Sequence, residues 1–275
     1  MRIMMRTGVN LAALATIALA FPSASSAQEW GFPGLGNAEF AAITAGGPAP
    51  RRDLTGAWDP GQAGIAGGDN YFNARTVPPL TPLGKEMLSR NRPTHGPYTA
   101  KVFEGNDPLT TQGDPSGFPR ILNYEFRPMR IVQTPKAVLM LYSFNQSWRI
   151  IWTDGRALPQ DPDPRWFGYS VGRWEDDTTF VVETVGLTER TWLDSGGFPH
   201  SEALRVQERY RRASENVIEL TVTITDPLVY AKPWISRDRL PLKKLPEETD
   251  FLEQIYAASE VTGFKQNIAD KARTQ

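Results

Sequence analysis

Strict alternation of apolar and polar residues marks the clearest element of the chain. Ile218, Leu220, Val222 and Ile224 alternate with Glu219, Thr221, Thr223 and Thr225, a period of two that predicts a strand with one buried face. Leu204, Val206 and Tyr210 alternate likewise with Arg205, Gln207, Arg209 and Arg211, and Phe180, Val182 and Thr184 share one face of an earlier strand. The same criteria predict strands at about 54–58, 129–133, 138–144, 147–153, 166–174, 179–186, 203–212 and 217–225. Long helical patterns do not separate them, which argues against βαβ units. An antiparallel up-and-down meander of about eight strands can close and abolish its edges, so the pattern predicts an all-β barrel. A β-sandwich has the same strand spacing and is the alternative.

Outside the strands the pattern is short and broken. Asn37–Thr44 reads as a short helix, and Thr81-Pro82 opens another that ends near Arg90, with Thr81 as cap and Pro82 at the first helical position. Residues 28–53 are rich in Gly, Pro and Ala, and Asn91–Arg120 is interrupted by Pro and Gly. Lys232–Leu245 is basic and Pro-broken and predicts no strand; Pro246–Glu260 predicts a final helix, and residues 265–275 a polar tail. The simplest organisation is one β domain over 54–264 behind an irregular N-terminal segment.

Met1–Ala27 carries Arg2 and Arg6, an apolar run Leu11–Phe21, and small residues Ser25 and Ala27, the pattern of a secretory signal peptide. The apolar run is too short to span a bilayer, for which about 20 residues are needed. The expected location is therefore exported, periplasmic or secreted, with no membrane insertion. Composition narrows the function. A chain of 275 residues, 40% hydrophobic and 22% charged, is an ordinary globular one, and its formal charge of −1 carries no field that would draw it to nucleic acid. The absence of Cys excludes disulfides, thiolate metal sites and cysteine nucleophiles, and two His exclude a three-histidine zinc centre. No cofactor is expected.

Several runs are more specific than loops and strands require. They are Gly113–Arg120 (GDPSGFPR), Ile151–Arg156 (IWTDGR), Phe167–Glu175 (FGYSVGRWE), Val181–Gly186, Arg190–Asp194 (RTWLD), Pro199–Ser201 and Arg205–Arg212. Together they resemble a family of secreted bacterial proteins, over about Leu54–Phe264. The resemblance implies export and no particular activity. Members often carry a Cys before the Asp-Pro of the Gly-Phe-Pro segment and another near the C-terminus; Gly113 and Ala257 or Ala258 stand there, so any family disulfide is absent. Gly56-Ala57-Trp58 on the first strand is also similar to the Gly-x-Trp of lipocalin-like (calycin) barrels.

In a meander, alternate connections share one end of the barrel. Residues 154–165, 187–202 and the segment after Thr225 then gather at one mouth, and long loops on a rigid scaffold are where binding groups concentrate. This predicts a cavity lined by Asp154, Arg156, Trp192, Arg205 and Tyr230, with Trp166, Arg190 and Asp226 converging on the same mouth and Asp194 and His200 as a candidate acid–base pair. The first reading is an exported binding protein for a small, apolar or aromatic ligand. The alternative is a cofactor-independent isomerase, lyase or hydrolase using the Asp, His and Arg groups of the same cavity. A third is a surface protein that makes contacts through its Pro-rich N-terminal segment. Each residue also has a plainer role: Asp154-Gly155 as a turn, Trp192 as a plug, His200 as a loop anchor, and Arg205, Arg209, Arg211 and Arg212 as a solvated outer face.

Overall fold

A computed structural model describes residues 31–32, 34–64, 72, 77–255 and 257–273; the signal peptide expected at Met1–Ala27 lies outside the described residues. The alternation seen in the sequence becomes the barrel wall. Nine strands form a closed barrel in chain order. They are β1 (Gly56–Asp59), β2 (Met129–Gln133), β3 (Ala137–Tyr142), β4 (Ser147–Trp152), β5 (Tyr169–Trp174), β6 (Thr179–Val185), β7 (Arg205–Ser214), β8 (Val217–Thr225) and β9 (Trp234–Lys244). Along β8, Ile218, Leu220, Val222 and Ile224 are fully buried while their neighbours are half-exposed. Leu220→Ala is expected to cost about 2–4 kcal/mol, from lost transfer energy plus a cavity. Thr223→Ala on the outer face should stay within about 0.5 kcal/mol. Urea unfolding of the two variants checks this; equal losses would mean that both faces of β8 are packed.

Two features differ from the predicted meander. The first is β9. Pro241 and the charges of Arg237, Asp238 and Arg239 hide this strand in the sequence. It nevertheless pairs with β8 along most of its length and closes the barrel on β1 through Lys243 and Lys244. Pro241 lies opposite Glu219 of β8, beyond the two residues that pair with β1, so its missing N–H faces no second strand.

The second is the direction of β5, which runs parallel to β4 where every other neighbouring pair is antiparallel. Only Ile151↔Ser170 and Trp152↔Val171 pair. A parallel neighbour needs a crossover of a dozen or more residues, and residues 153–168 supply it. This one reversal reassigns the ends of the barrel. Asp154 follows β4 beside the β2–β3 turn, where Thr153 N–H donates to Lys136 C=O at 2.9 Å. The loop 186–204 and the β8–β9 connection lie at the other end.

That other end is closed by the chain itself. Residues 191–201 are all buried. Against them pack α3 (Pro108–Gln112) and α4 (Arg120–Asn123), the second of which is buried along its whole length. Arg237 of β9 holds α4 down: its guanidinium donates to the carbonyls of Leu122 (2.9 Å) and Asn123 (3.1 Å), two acceptors that a helix end leaves free. At the N-terminal side, α1 spans Asn37–Ala42 and α2 spans Pro82–Arg90, with the Thr81 hydroxyl accepting from Gly84 N–H at 3.0 Å. The final helix, α5, spans Ala258–Phe264, later than the sequence suggests, and helical turns continue to Arg273. No helix among the described residues is long and apolar enough to cross a membrane.

Candidate functional site

Inward residues of β3, β4 and β7 place a charged cluster inside the barrel. Arg149 Nη2 donates to both carboxylate oxygens of Glu208, at 2.7 and 2.8 Å. The Tyr210 hydroxyl donates to Glu208 Oε2 at 2.7 Å. The Arg149 guanidinium lies 4.0 Å from the centre of the Phe118 ring, so it has an aromatic face above it and a carboxylate beside it. All four side chains are buried. Burial pushes the Tyr142 and Tyr210 hydroxyls above their ordinary pKa; it is also the largest single influence on Arg149, but the Glu208 charge and hydrogen bond together with the two tyrosines outweigh it and raise the Arg149 pKa.

The motif Gly113–Arg120 is the cap over this cluster. Gly117 adopts φ +68°, and a Cβ there would stand 2.5 Å from Thr191 Cγ2. The close approach sends Phe118 into the barrel and lets Phe118 N–H donate to Trp166 C=O at 2.8 Å. Arg120 makes a two-pronged pair with Asp107, Nη1 to Oδ1 at 2.7 Å and Nη2 to Oδ2 at 2.5 Å, both groups buried. Its guanidinium also packs on Tyr124 (4.9 Å) and Trp192 (5.7 Å).

The predicted mouth residues divide into two groups. Trp192, Asp194, His200 and Tyr230 do come together at one end, but as buried supports of the plug rather than around an open cavity. Asp194 Oδ2 accepts from Phe72 N–H at 2.6 Å and Oδ1 from Phe198 N–H at 3.1 Å. Burial pushes its carboxyl up to about 7, against these N–H groups and the Arg120 charge. His200 does not bond to Asp194. Its Nδ1 faces the Ser201 carbonyl at 3.1 Å and therefore carries the proton, leaving Nε2 to accept from the Thr191 hydroxyl at 2.9 Å. Burial lowers the His200 pKa and keeps the ring neutral. Tyr230 donates to the Pro199 carbonyl at 2.7 Å, and Ser201 Oγ donates to Asp226 at 2.8 Å. The predicted acid–base pair is thus two separate loop anchors.

Asp154, Arg156 and Arg205 do not join this group. Asp154 is exposed at the opposite end, chelated by Arg156 through Nη2 at 2.6 Å and Nε at 2.9 Å, and the bond to Arg156 lowers its pKa. Arg205 begins β7 on its outer face, since Val206, Glu208, Tyr210 and Arg212 take the inner one. Arg212 is the exception to the expected outer stripe. It is buried, stacks 4.6 Å from Trp58 of the Gly56-Ala57-Trp58 run, and donates to the carbonyls of Ser214, Asp53 and Glu215.

An open cavity exists elsewhere, on the outside of the wall. Residues 147–150 of β4 lack a strand partner on the β5 side, and the crossover folds back over that gap. The result is a cleft of about 1050 Å³. Trp148, Ile150 and Trp152, the outward residues of β4, form its floor, and Arg156, Leu158, Arg165, Trp166, Phe167 and Tyr169 its far wall. Trp148 is 62% exposed. Three arginines around the cleft lie against aromatic rings: Arg156 on Trp152 at 3.7 Å, Arg165 on Tyr169 at 4.1 Å and Arg190 on Trp166 at 4.8 Å. Gly168, at φ +60°, turns the crossover into β5, where a Cβ would meet the Val185 carbonyl at 2.5 Å.

Of the residues predicted at the mouth, Arg156 and Trp166 line this cleft. Trp148 and Trp152 lie four apart on a strand, so period two places them on one face, and Ile151 on the other is the buried one. Likewise Glu208 falls on the apolar face of Val206 and Tyr210, a charge on the buried side of an alternating strand. Both signals were legible.

No group of three or more His, Asp or Glu positioned to hold a metal occurs among the described residues. Comparison with family models, curated proteins and solved structures finds no match to this chain.

Proposed function

We propose that this chain is an exported binding protein for a small, flat, partly apolar ligand, held in the lateral cleft along β4. The observation that carries the reading is the cleft itself: about 1050 Å³, the upper end of the usual range for small-molecule sites, with Trp148 exposed on its floor beside Trp152. Large exposed aromatics beside a cavity offer ring stacking at little conformational cost. Export rests on the leader pattern at Met1–Ala27. An enzyme is the weaker reading. The residues lining the cleft include no carboxylate and no histidine, and Asp194 and His200 are committed to the plug.

The reading predicts that native mass spectrometry of the purified protein finds a small aromatic compound bound. Removal of the floor by Trp148→Ala should weaken its binding at least tenfold, about 1.4 kcal/mol, with the unfolding midpoint unchanged. A compound that binds both forms equally would place the site elsewhere.

A further inference from the structure

We infer that the cleft takes a ligand whose ring bears an anionic group — a carboxylate, sulfonate or phosphate — and that Arg165 is its anchor. The inference rests on the cleft being a ligand site and adds the ligand's charge. Charge complementarity is the first argument. Arg149, Arg156 and Arg165 line the cleft, and no acidic side chain does. Two of the three are already neutralised: Arg149 by Glu208 inside the barrel, Arg156 by Asp154 beside it. Arg165 has no carboxylate within ion-pair distance among the described residues. The nearby Arg190 is occupied by Asp114 at 2.9 Å.

Geometry is the second argument. The main chain of Arg165 is pinned on both sides: its N–H donates to Gly186 C=O at 2.9 Å, and its C=O accepts from Thr188 N–H at 3.1 Å. Its guanidinium lies 4.1 Å from the Tyr169 ring centre. A cation–π contact consumes no hydrogen-bond donor, so the donors of the guanidinium stay available for a two-pronged contact with an oxyanion. The backbone is therefore fixed, the head group is held against a ring, and its hydrogen-bonding capacity is unused. A neutral ring would satisfy Trp148 and Trp152 but leave that capacity idle. A ring with an oxyanion satisfies both.

A matched pair of fluorescent probes tests this: 1-anilinonaphthalene-8-sulfonate and its neutral counterpart N-phenyl-1-naphthylamine, which share a ring system and differ by the sulfonate. Titrated into the full chain, the sulfonate should bind at least tenfold more tightly than the neutral probe. Arg165→Gln should weaken the sulfonate tenfold or more and change the neutral probe less than twofold. Arg165→Lys should recover part of the loss, since it restores the charge without the fork. Trp148→Ala should weaken both probes, which ties them to this cleft. Because Arg165 is exposed, thermal unfolding of its variants should match the parent. Equal binding of the two probes, or indifference of the sulfonate to Arg165→Gln while Trp148→Ala weakens both, overturns the anion and leaves the cleft standing. Indifference of both probes to Trp148→Ala, or no binding of either, overturns the ligand site and the anion with it.

Discussion

Glu208→Ala is expected to lower the unfolding free energy by about 3–5 kcal/mol, the range for removing one partner of a buried ion pair. Glu208 is fully buried and accepts from Arg149 Nη2 and from the Tyr210 hydroxyl. Its loss leaves the Arg149 cation inside the barrel with the Phe118 ring, the Met140 sulfur and the buried Tyr142 and Tyr210 side chains, none of them an anionic partner. Arg149 Nε and Nη1 already have no hydrogen-bond partner, so the loss of Glu208 adds to a guanidinium that is satisfied only in part. The paired replacement Arg149→Met with Glu208→Leu should recover most of the loss, because it removes both charges and restores volume. A double-mutant cycle in urea measures the coupling. A cost under 1 kcal/mol for Glu208→Ala would mean that water reaches the cluster.

Stability is expected to fall by about 4 kcal/mol between pH 4 and pH 8 through Asp194 alone. Burial raises this carboxyl from 3.8 in the unfolded chain to about 7 in the fold, and about three pKa units at 1.36 kcal/mol each set the size. Between those two values the folded state binds the extra proton, so its advantage is complete below pH 4 and is lost as pH rises through 7. Asp194→Asn cannot titrate. It also turns an amide N–H towards Phe72 or Phe198, which costs about 1–3 kcal/mol at every pH. The difference between the parent and Asp194→Asn curves therefore isolates the Asp194 titration. It should decline by about 4 kcal/mol across this range, and a flat difference would show an ordinary carboxylate. His200 acts in the opposite sense. Its pKa is depressed by burial, so its contribution is complete above about 6.5 and is lost as pH falls through the lower folded value. It cancels in the difference.

The position of the candidate site turned on one strand direction. Read as a plain meander, the β4–β5 connection returns at the same end, and Asp154 meets His200. The parallel pairing of Ile151 with Ser170 sends the crossover back along the barrel, separates those two residues and opens the cleft. Residues 153–168 are long enough for either path, and length was the only sign available. The plug is a similar case. Asp194 and His200 have the residue types of an acid–base pair, but each bonds to the nearest main-chain or hydroxyl partner because a buried polar group cannot stay unpaired.

The structure legible from the residues alone is therefore local. Alternation at Ile218–Thr225 and Leu204–Tyr210 specified strands and their inner faces, because side chains point to opposite sides of a strand with a period of two. Thr81-Pro82 specified a helix start, because the cap and the fixed φ act within one turn. Tertiary structure decided the rest. Whether Pro241 interrupts a strand depends on what lies across from it, and here only β8 does. Whether Arg149 and Glu208 are tolerated inside depends on their meeting from strands 59 residues apart. And Trp148 stands on a cleft instead of an ordinary outer wall only because β5 leaves that part of β4 unpaired, a choice made by the path of the crossover and by no residue of β4.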